Sequence, residues 1–278
     1  MSTTDRNQQS AGKGAACIAT AHDRIIDAHL HLPADYPGLS AKRKALLSEL
    51  ERNGVSGGIV IADSELESVI GSVSECADLF RGDRVIRVVA GISPFISYPE
   101  QLTLCRELLE SGDIIGLKLY TGHESFFCTD PRLCPVFALA EEFSVPVLFH
   151  TGWDHAQYAA PPEMKKLARL YPRIRFVYCH CFYPEAAQCF EILGECENVF
   201  FDISSVADDP EKLPQIAQVL NAAVPAMPHR FLFGSDFGSC SQRAHLDFAA
   251  GLTLTPQQRE CLMYQNACAV YHLPAAES

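Results

Sequence analysis

The sequence predicts an α/β fold, a single-domain (β/α)8 or TIM barrel, and three observations lead to it. The chain has 278 residues, and about 250 residues is the usual size of such a barrel. Eight short apolar runs alternate with amphipathic stretches of helical length. The first run is not followed by the glycine-rich turn that a doubly wound, nucleotide-binding open sheet requires. The open sheet shares the alternation and is the less favoured alternative.

The eight predicted strands are nearly continuous apolar runs rich in β-branched residues. This pattern is typical of parallel strands that are buried on both faces, whereas a half-exposed antiparallel sheet shows strict alternation. The predicted strands span 24–29, 56–62, 84–92, 114–120, 145–150, 173–180, 198–204 and 230–236.

Amphipathic stretches of helical length follow each predicted strand. The first helix is expected to begin at Ser40, a favourable N-cap residue, and to stop at Gly54. Several others carry a proline in the first turn, where the missing N–H is tolerated. The predicted helices span 40–54, 64–82, 98–112, 131–143, 160–172, 183–196, 209–224, 241–251 and 255–273. No linker separates them, so we expect one barrel domain over 23–278 behind a flexible tail over 1–22.

The composition excludes several classes of protein. The formal net charge is −12, and no basic run is present, so we expect no binding to nucleic acid. No apolar run is long enough to cross a membrane, and the first residues lack the apolar segment of a secretory signal. The twelve cysteines include no CxxC pair, which favours free thiols in a reducing compartment. We therefore expect a cytoplasmic protein with a small-molecule partner, and the outer helices of a barrel would allow a homodimer.

Ionisable residues gather at the carboxyl ends of the predicted strands, where the active sites of barrel enzymes lie. The first strand carries Asp27, His29 and His31 at every second position, so the three side chains point to one face. The other strand ends supply Lys118 and Tyr120, His150, His180, Asp202 and Ser204, and Asp236.

A divalent metal site would unite these residues. Neutral imidazoles and a carboxylate are the ligands that zinc and similar ions prefer. We expect His29, His31, His150 and Asp236 to bind one ion that keeps a position open for water. Asp236 would then accept the proton of that water.

Each residue also has a purely structural interpretation. His150 and His180 could be hydrogen-bonded core histidines, and Asp27 could pair with a backbone amide. For Asp202 a loop-capping role is favoured, and Ser204 could act in the same way. A buried Lys118 needs a partner or a function, because an unpaired buried charge is costly. The joint placement of so many ionisable groups on one rim favours the functional interpretation.

The order of these motifs resembles the amidohydrolase superfamily, with HxH after strand one, histidines after strands five and six, and the aspartate of "FLFGSDF" after strand eight. The segments "GLKLY", "VLFHTGW", "VYCHCFYPE" and "YQNACAVYHL" are similar to its amidohydrolase-related branch of hydrolases and decarboxylases. The resemblance extends from Arg24 to Leu273. It implies one metal ion, usually zinc, bound by His29, His31, His150 and Asp236. His180 would donate a proton or orient the attacking water.

The resemblance leaves the reaction open. In some branches a lysine at the position of Lys118 is carboxylated and bridges two metals, but the related branch favours a single ion. Asp27 matches the DxHxH of hydrolases, and the chain is shorter than most decarboxylases of the branch, so we expect hydrolysis of a small amide, lactone or ester. A decarboxylase with Arg243 as a carboxylate clamp is the alternative, and an inactive binding barrel is a weaker one. Candidate pocket residues, which could equally be packing residues, are Trp153, Tyr183, Ser204 and Arg243.

Overall fold

A computed structural model describes residues 24–65 and 67–274, and the predicted tail over 1–22 lies outside them. Within these residues, eight parallel strands pair in chain order. Backbone hydrogen bonds from Ala28 N to Phe233 O (2.8 Å) and from Asp236 N to His29 O (2.8 Å) join the last strand to the first. The predicted (β/α)8 barrel is therefore confirmed. The strands are β1 (Ile26–Leu30), β2 (Gly57–Ile61), β3 (Ile86–Gly91), β4 (Leu117–Leu119), β5 (Val147–Phe149), β6 (Phe176–Tyr178), β7 (Val199–Asp202) and β8 (Phe231–Leu232).

Helices follow the strands as predicted, with some different ends. They are α1 (Gly38–Asn53), α2 (Val73–Leu79), α3 (Tyr98–Ser111), α4 (Cys134–Phe143), α5 (Pro161–Leu170), α6 (Ala186–Leu193), α7 (Leu213–Ala226), α8 (Gln242–Gly251), α9 (Pro256–Glu260) and α10 (Asn266–Tyr271). Short 3-10 helices of three to seven residues lie at Pro131–Leu133, Trp153–Ala159 and Cys179–Phe182. A π-helical segment at Cys261–Gln265 divides the last predicted helix into α9 and α10.

Several helix starts differ from the prediction, among them those of the first two helices. The first helix begins at Gly38, after Pro37, rather than at Ser40, and it ends at the predicted Gly54, which adopts a left-handed φ of 68°. The second helix begins only at Val73, because Ser72 and Glu75 form a capping box there. The residues before it form a loop on the barrel rim instead of a helical turn.

The interior of the barrel is filled by apolar side chains, so a ligand has room only at the rim. Ala28, Ile59, Leu148 and Val177 belong to this interior cluster, and Tyr271 of α10 packs against it. A second, larger cluster lies between the strands and the surrounding helices. In the part of the chain that the structure describes, no helix is long and apolar enough to cross a membrane.

Candidate active site

The rim at the carboxyl ends of the strands surrounds a cavity of about 670 Å³. Residues from β1, from β4 and from the segments after β2, β4, β5, β6, β7 and β8 line it, so seven of the eight strands contribute to the site. Eight of the predicted site residues are among its lining: His29, His31, Lys118, Tyr120, His150, Trp153, His180 and Asp236. Among them, His180 and Asp236 hold left-handed φ angles of 62° and 61°, a costly conformation that proteins often retain at functional sites.

Three side chains converge at the base of the cavity. The Oδ1 atom of Asp236 lies 3.2 Å from His31 Nε2 and 3.5 Å from His29 Nε2. All three residues are buried. Ligand atoms about 2.1 Å from a tetrahedral ion lie about 3.4 Å apart, so these separations match those of ligands around one ion.

The hydrogen bonds of His29 and His31 leave the lone pairs of their Nε2 atoms facing Asp236 Oδ1. His31 Nδ1 donates to the carbonyl oxygen of Ile61 (2.9 Å), and His29 Nδ1 donates to Asp202 Oδ2 (2.9 Å). In the neutral rings both Nε2 atoms are therefore unprotonated. The facing Asp236 Oδ1 is buried without a hydrogen-bond partner. Three electron-rich atoms without a proton between them suit a cation, so the residues present fit a divalent metal.

Asp202 of β7 holds this arrangement from behind. Besides His29 Nδ1, its carboxylate accepts the backbone N–H groups of His180 (2.9 Å) and Ser204 (3.1 Å) and the hydroxyl of Ser204. The favoured loop-capping interaction is therefore present, and the same carboxylate also orients His29. The histidines that contact Asp202 keep its pKa below the ordinary value although burial raises it. The carboxylate stays ionised and fixes the tautomer of the ring, as carboxylates behind metal ligands commonly do.

Ser204 extends this hydrogen bonding to two further histidines. Because its hydroxyl proton is given to Asp202, Ser204 Oγ accepts from His180 Nδ1 (2.7 Å). His180 Nε2 is then an acceptor for His150 Nδ1, 3.2 Å away. The Nε2 atom of His150 is left without a proton. We call Asp202, Ser204, His180, His150 and His29 the inner network.

The histidines are held in their neutral form, which is the form that binds metal. Burial lowers the pKa of His29, and it lowers that of His150 well below 6.5. Burial and the neighbouring His29 lower the pKa of His180 to about 3. Burial alone would raise the pKa of Asp236, but the imidazoles of His29 and His31 hold it well below its usual range.

Lys118 finds a neutral partner at the floor of the cavity. Its Nζ donates to Cys179 Sγ (3.0 Å), and burial raises the pKa of that thiol well above its ordinary value. Cys179, His29 and Asp202 could by distance form a second metal-binding group. The adjacent ammonium and the hydrogen bonds that already occupy Asp202 make it a poor cation site. Tyr120 lies above Lys118 and donates its hydroxyl to Ala62 O (3.1 Å).

Asp27 lies below the metal-binding residues and joins the two ends of the barrel. Its carboxylate accepts from Ser235 N (2.9 Å), from Ser235 Oγ (2.5 Å) and from Gln242 Nε2 (2.8 Å). Burial raises its pKa to about 6, against the effect of these hydrogen bonds. Asp27 thus stabilises the contact between β1 and the segment after β8, close in sequence to His29 and Asp236.

The structure separates the four predicted pocket residues. Trp153 lines the cavity and stacks on His150, with ring centroids 5.8 Å apart and planes at 17°. Tyr183 packs beside Trp153 but outside the described lining, and Ser204 lies fully buried beneath the histidines. Arg243 lies elsewhere, on the exposed side of α8, where it pairs with Asp247. The cap at Ser241 starts α8 so that Gln242, not Arg243, faces inward.

Several residues that line the cavity were not predicted from the sequence to have a role. His123 was visible only as a residue just past the fourth strand, and its ring lies 4.1 Å from that of His150. Others follow strand ends by two to six positions, which is a weak signal in a single sequence. They include Asp63, Glu65, Glu124, Ser205 and Asp208.

Comparison with protein families gives one match that spans nearly the whole described chain. The family model described as Amidohydrolase matches residues 26–273. A comparison with curated proteins found no match. The resemblance predicted from the order of the histidine and aspartate motifs is thereby confirmed.

Solved structures share the fold at low sequence identity. An uncharacterized TIM-barrel protein from Bordetella bronchiseptica is 20% identical with a TM-score of 0.74, covering 90% of this chain and 99% of that one. A probable 2-pyrone-4,6-dicarboxylic acid hydrolase from Acinetobacter baumannii is 13% identical with a TM-score of 0.67, covering 90% and 100%. A dihydroxybenzoic acid decarboxylase from a Polaromonas species, with bound manganese, is 12% identical with a TM-score of 0.63, covering 91% and 98%. A hydratase is also among the similar structures. These likenesses establish the fold and leave the reaction open.

Proposed function

The chain belongs to the Amidohydrolase family of enzymes, and from that premise we propose that it is a metal-dependent hydrolase that cleaves an amide, lactone or ester bond of a small molecule. One observation carries the proposal. The buried Oδ1 atom of Asp236 has no hydrogen-bond partner and faces the unprotonated Nε2 atoms of His29 and His31. That donor set requires a cation for its charge to be balanced.

The proposed ligands are His29, His31, Asp236 and the unprotonated Nε2 of His150. Nitrogen and carboxylate donors favour zinc, although manganese accepts a similar set. When bound, the ion would lower the pKa of water and polarise the carbonyl group that is attacked.

The free thiols of the eleven described cysteines support a cytoplasmic location for the enzyme.

The chain's own residues would manage the protons of the reaction. Asp236 faces the site of the attacking water, so it would accept the proton of that water and return it to the leaving nitrogen or oxygen. His180 holds His150 in place through the 3.2 Å hydrogen bond between their rings. Trp153 stacks on the outer face of His150 and shields it from solvent.

The decarboxylase alternative, as the sequence suggests it, relies on Arg243 as a clamp for the carboxylate that is lost. Arg243, the candidate clamp, pairs with Asp247 outside the cavity, and no arginine is among the described lining residues. The one lysine of the lining, Lys118, donates to Cys179. This arrangement favours hydrolysis.

A metal analysis and a product analysis test the proposal together. We expect about one divalent ion per chain by elemental analysis, as ligand geometry for one ion implies. A panel of one anilide, one lactone and one nitrophenyl ester should release acid at a rate that depends on that ion. The Asp236→Asn variant should lose both the ion and the activity, while His229→Asn, an exposed histidine outside the cavity, should keep both.

Three results would count against hydrolysis. They are a protein without stoichiometric divalent metal, an Asp236→Asn variant of undiminished activity, and carbon dioxide released from aromatic or unsaturated acids with no acid released from the panel. The last result would favour the decarboxylase. Thermal unfolding of both variants separates a lost ligand from a lost fold.

A further inference from the structure

The cavity carries an excess of negative charge. Five carboxyl groups line it, from Asp236 at its base and from four residues nearer its mouth, Asp63, Glu65, Glu124 and Asp208. We call these four the outer lining. Lys118 is the one lysine among the described lining residues, and no arginine is among them.

None of the outer-lining carboxylates has a cationic partner in the described part of the chain. The donors that do reach them are neutral. Ser68 Oγ donates to Asp63 (2.6 Å), Ser93 Oγ to Glu124 (2.7 Å) and Cys240 Sγ to Asp208 (2.8 Å). Neutral donors satisfy hydrogen-bonding capacity but leave the charge uncompensated. A cleft with low-dielectric walls concentrates the field of such charges.

One observation beyond this charge points to an organic cation, because the unpartnered Oδ1 atom of Asp236 is already assigned to the metal ion. The indole of Trp153 lines the same cavity and is 40% exposed. An exposed indole face attracts cations. A divalent ion at the histidines would offset two of the charges and leave the cavity negative.

We propose that the cavity selects positively charged substrates, small molecules that carry an ammonium or guanidinium group beside the bond that is cleaved. The statement that the bound molecule is hydrolysed rests on the proposed function, whereas the charge preference does not. Carboxylates of the outer lining would hold the cationic group near Trp153, and the carbonyl group would reach Asp236 and the histidines. A substrate that carries a carboxylate would be repelled at the mouth.

Trp153 offers a binding signal that needs no turnover, because it is the one tryptophan of the chain. Three probes of similar shape differ in charge: choline, 3,3-dimethylbutan-1-ol and 3,3-dimethylbutanoate. The quaternary ammonium of choline cannot ligate a metal, so its binding reports on the cavity charge. We expect Trp153 fluorescence to give a dissociation constant for choline about tenfold below that of the alcohol. The carboxylate should bind more weakly than the alcohol. Added salt should reduce the difference.

A matched pair of double variants locates the effect. Asp208→Asn with Glu65→Gln removes two charges of the outer lining, and Glu51→Gln with Glu107→Gln removes two exposed charges from α1 and α3, outside the cavity. The first pair should abolish most of the preference for choline, and the second should leave it intact. Equal affinity for all three probes, or tighter binding of the carboxylate, would overturn the proposal. So would equal effects of the two double variants. Because fluorescence reports binding alone, loss of hydrolysis without loss of charge preference would count only against the proposed function.

Discussion

The inner network and the outer lining differ in how their polar groups are held. In the inner network the polar side chains hydrogen-bond one another, and Asp202 and Ser204 are fully buried. In the outer lining Glu65 and Asp208 are exposed, and the donor that reaches Asp208 is the thiol of Cys240. Buried polar groups must be satisfied, whereas exposed ones are free to meet a ligand. The first region therefore fixes the direction of the metal-binding atoms, and the second decides which molecules enter.

Among the variants that probe the inner network, the largest effect is expected from Asp202→Asn, which tests whether the network works through tautomers. The new amide can place an N–H toward His29 Nδ1 and so move the proton of that ring to Nε2. A proton on Nε2 blocks the lone pair that faces Asp236. We expect metal affinity to fall by about 10-fold to 100-fold, with activity falling at least as far.

Chelator competition measures this affinity, and ¹⁵N NMR of the histidine rings reports the tautomer. Asp247→Asn is the control, since that exposed carboxylate pairs with Arg243 outside the cavity. A variant with a changed melting temperature but unchanged metal affinity would show that Asp202 is purely structural.

The contrast between the two regions also explains what the sequence could predict. The HxH spacing of His29 and His31 is local, and strand periodicity is enough to place both on one face. The partner of His29 is Asp202, which lies 173 residues further along the chain. A single sequence carries no signal for such a pair, so a loop cap remained the favoured interpretation of Asp202.

The outer lining was harder to predict because its residues lie in loops. Glu65 falls within a predicted helix over 64–82, but the capping box at Ser72 delays α2 to Val73 and leaves Glu65 on the rim. Apolar periodicity continues through that loop, so the pattern gives no indication of the break. The eight strands were predictable for the opposite reason, since burial on both faces imposes continuous apolar runs on them.

A smaller effect is expected from Ser204→Ala, which cuts the inner network between Asp202 and His180. The hydroxyl that accepts from His180 Nδ1 is removed, while the hydrogen bond from His29 to Asp202 remains. We expect kcat to fall by about tenfold, as loss of one orienting hydrogen bond implies, with metal affinity nearly unchanged.

Ser204→Thr keeps the hydroxyl and should recover part of the loss, and steady-state kinetics with chelator titration separates the two effects. Ser205→Ala provides a neighbouring comparison, because Ser205 Oγ donates to Asp236 Oδ2 (2.5 Å) rather than to the histidines. Equal losses of metal affinity in Ser204→Ala and Asp202→Asn would show that the network cannot be divided at Ser204.

The smallest effect concerns His245, a buried residue of α8 on which the outer lining depends. Its Nδ1 donates to Ser241 O (2.8 Å), and its Nε2 accepts the N–H of Ala207 (3.2 Å), the residue before Asp208. Burial lowers the pKa of His245 below its ordinary value of 6.5. Below pH 6.5 the unfolded chain therefore binds more protons at this residue than the folded chain, and the free energy of unfolding falls as the pH falls.

The His245→Gln variant lacks this titration. We expect the free energy of unfolding of the wild type, minus that of the variant, to be constant above pH 7.5 and to decrease below pH 6.5, as linkage for a group with a lowered folded pKa requires. Denaturant unfolding across this range measures it, and parallel curves would contradict it. Hydrogen exchange of the Ala207 amide should also accelerate as the pH falls relative to other buried amides, because a protonated His245 cannot accept that N–H. The position of Asp208 at the cavity mouth would then depend on a neutral buried histidine, so the two regions differ in exposure but both need buried, satisfied polar groups behind them.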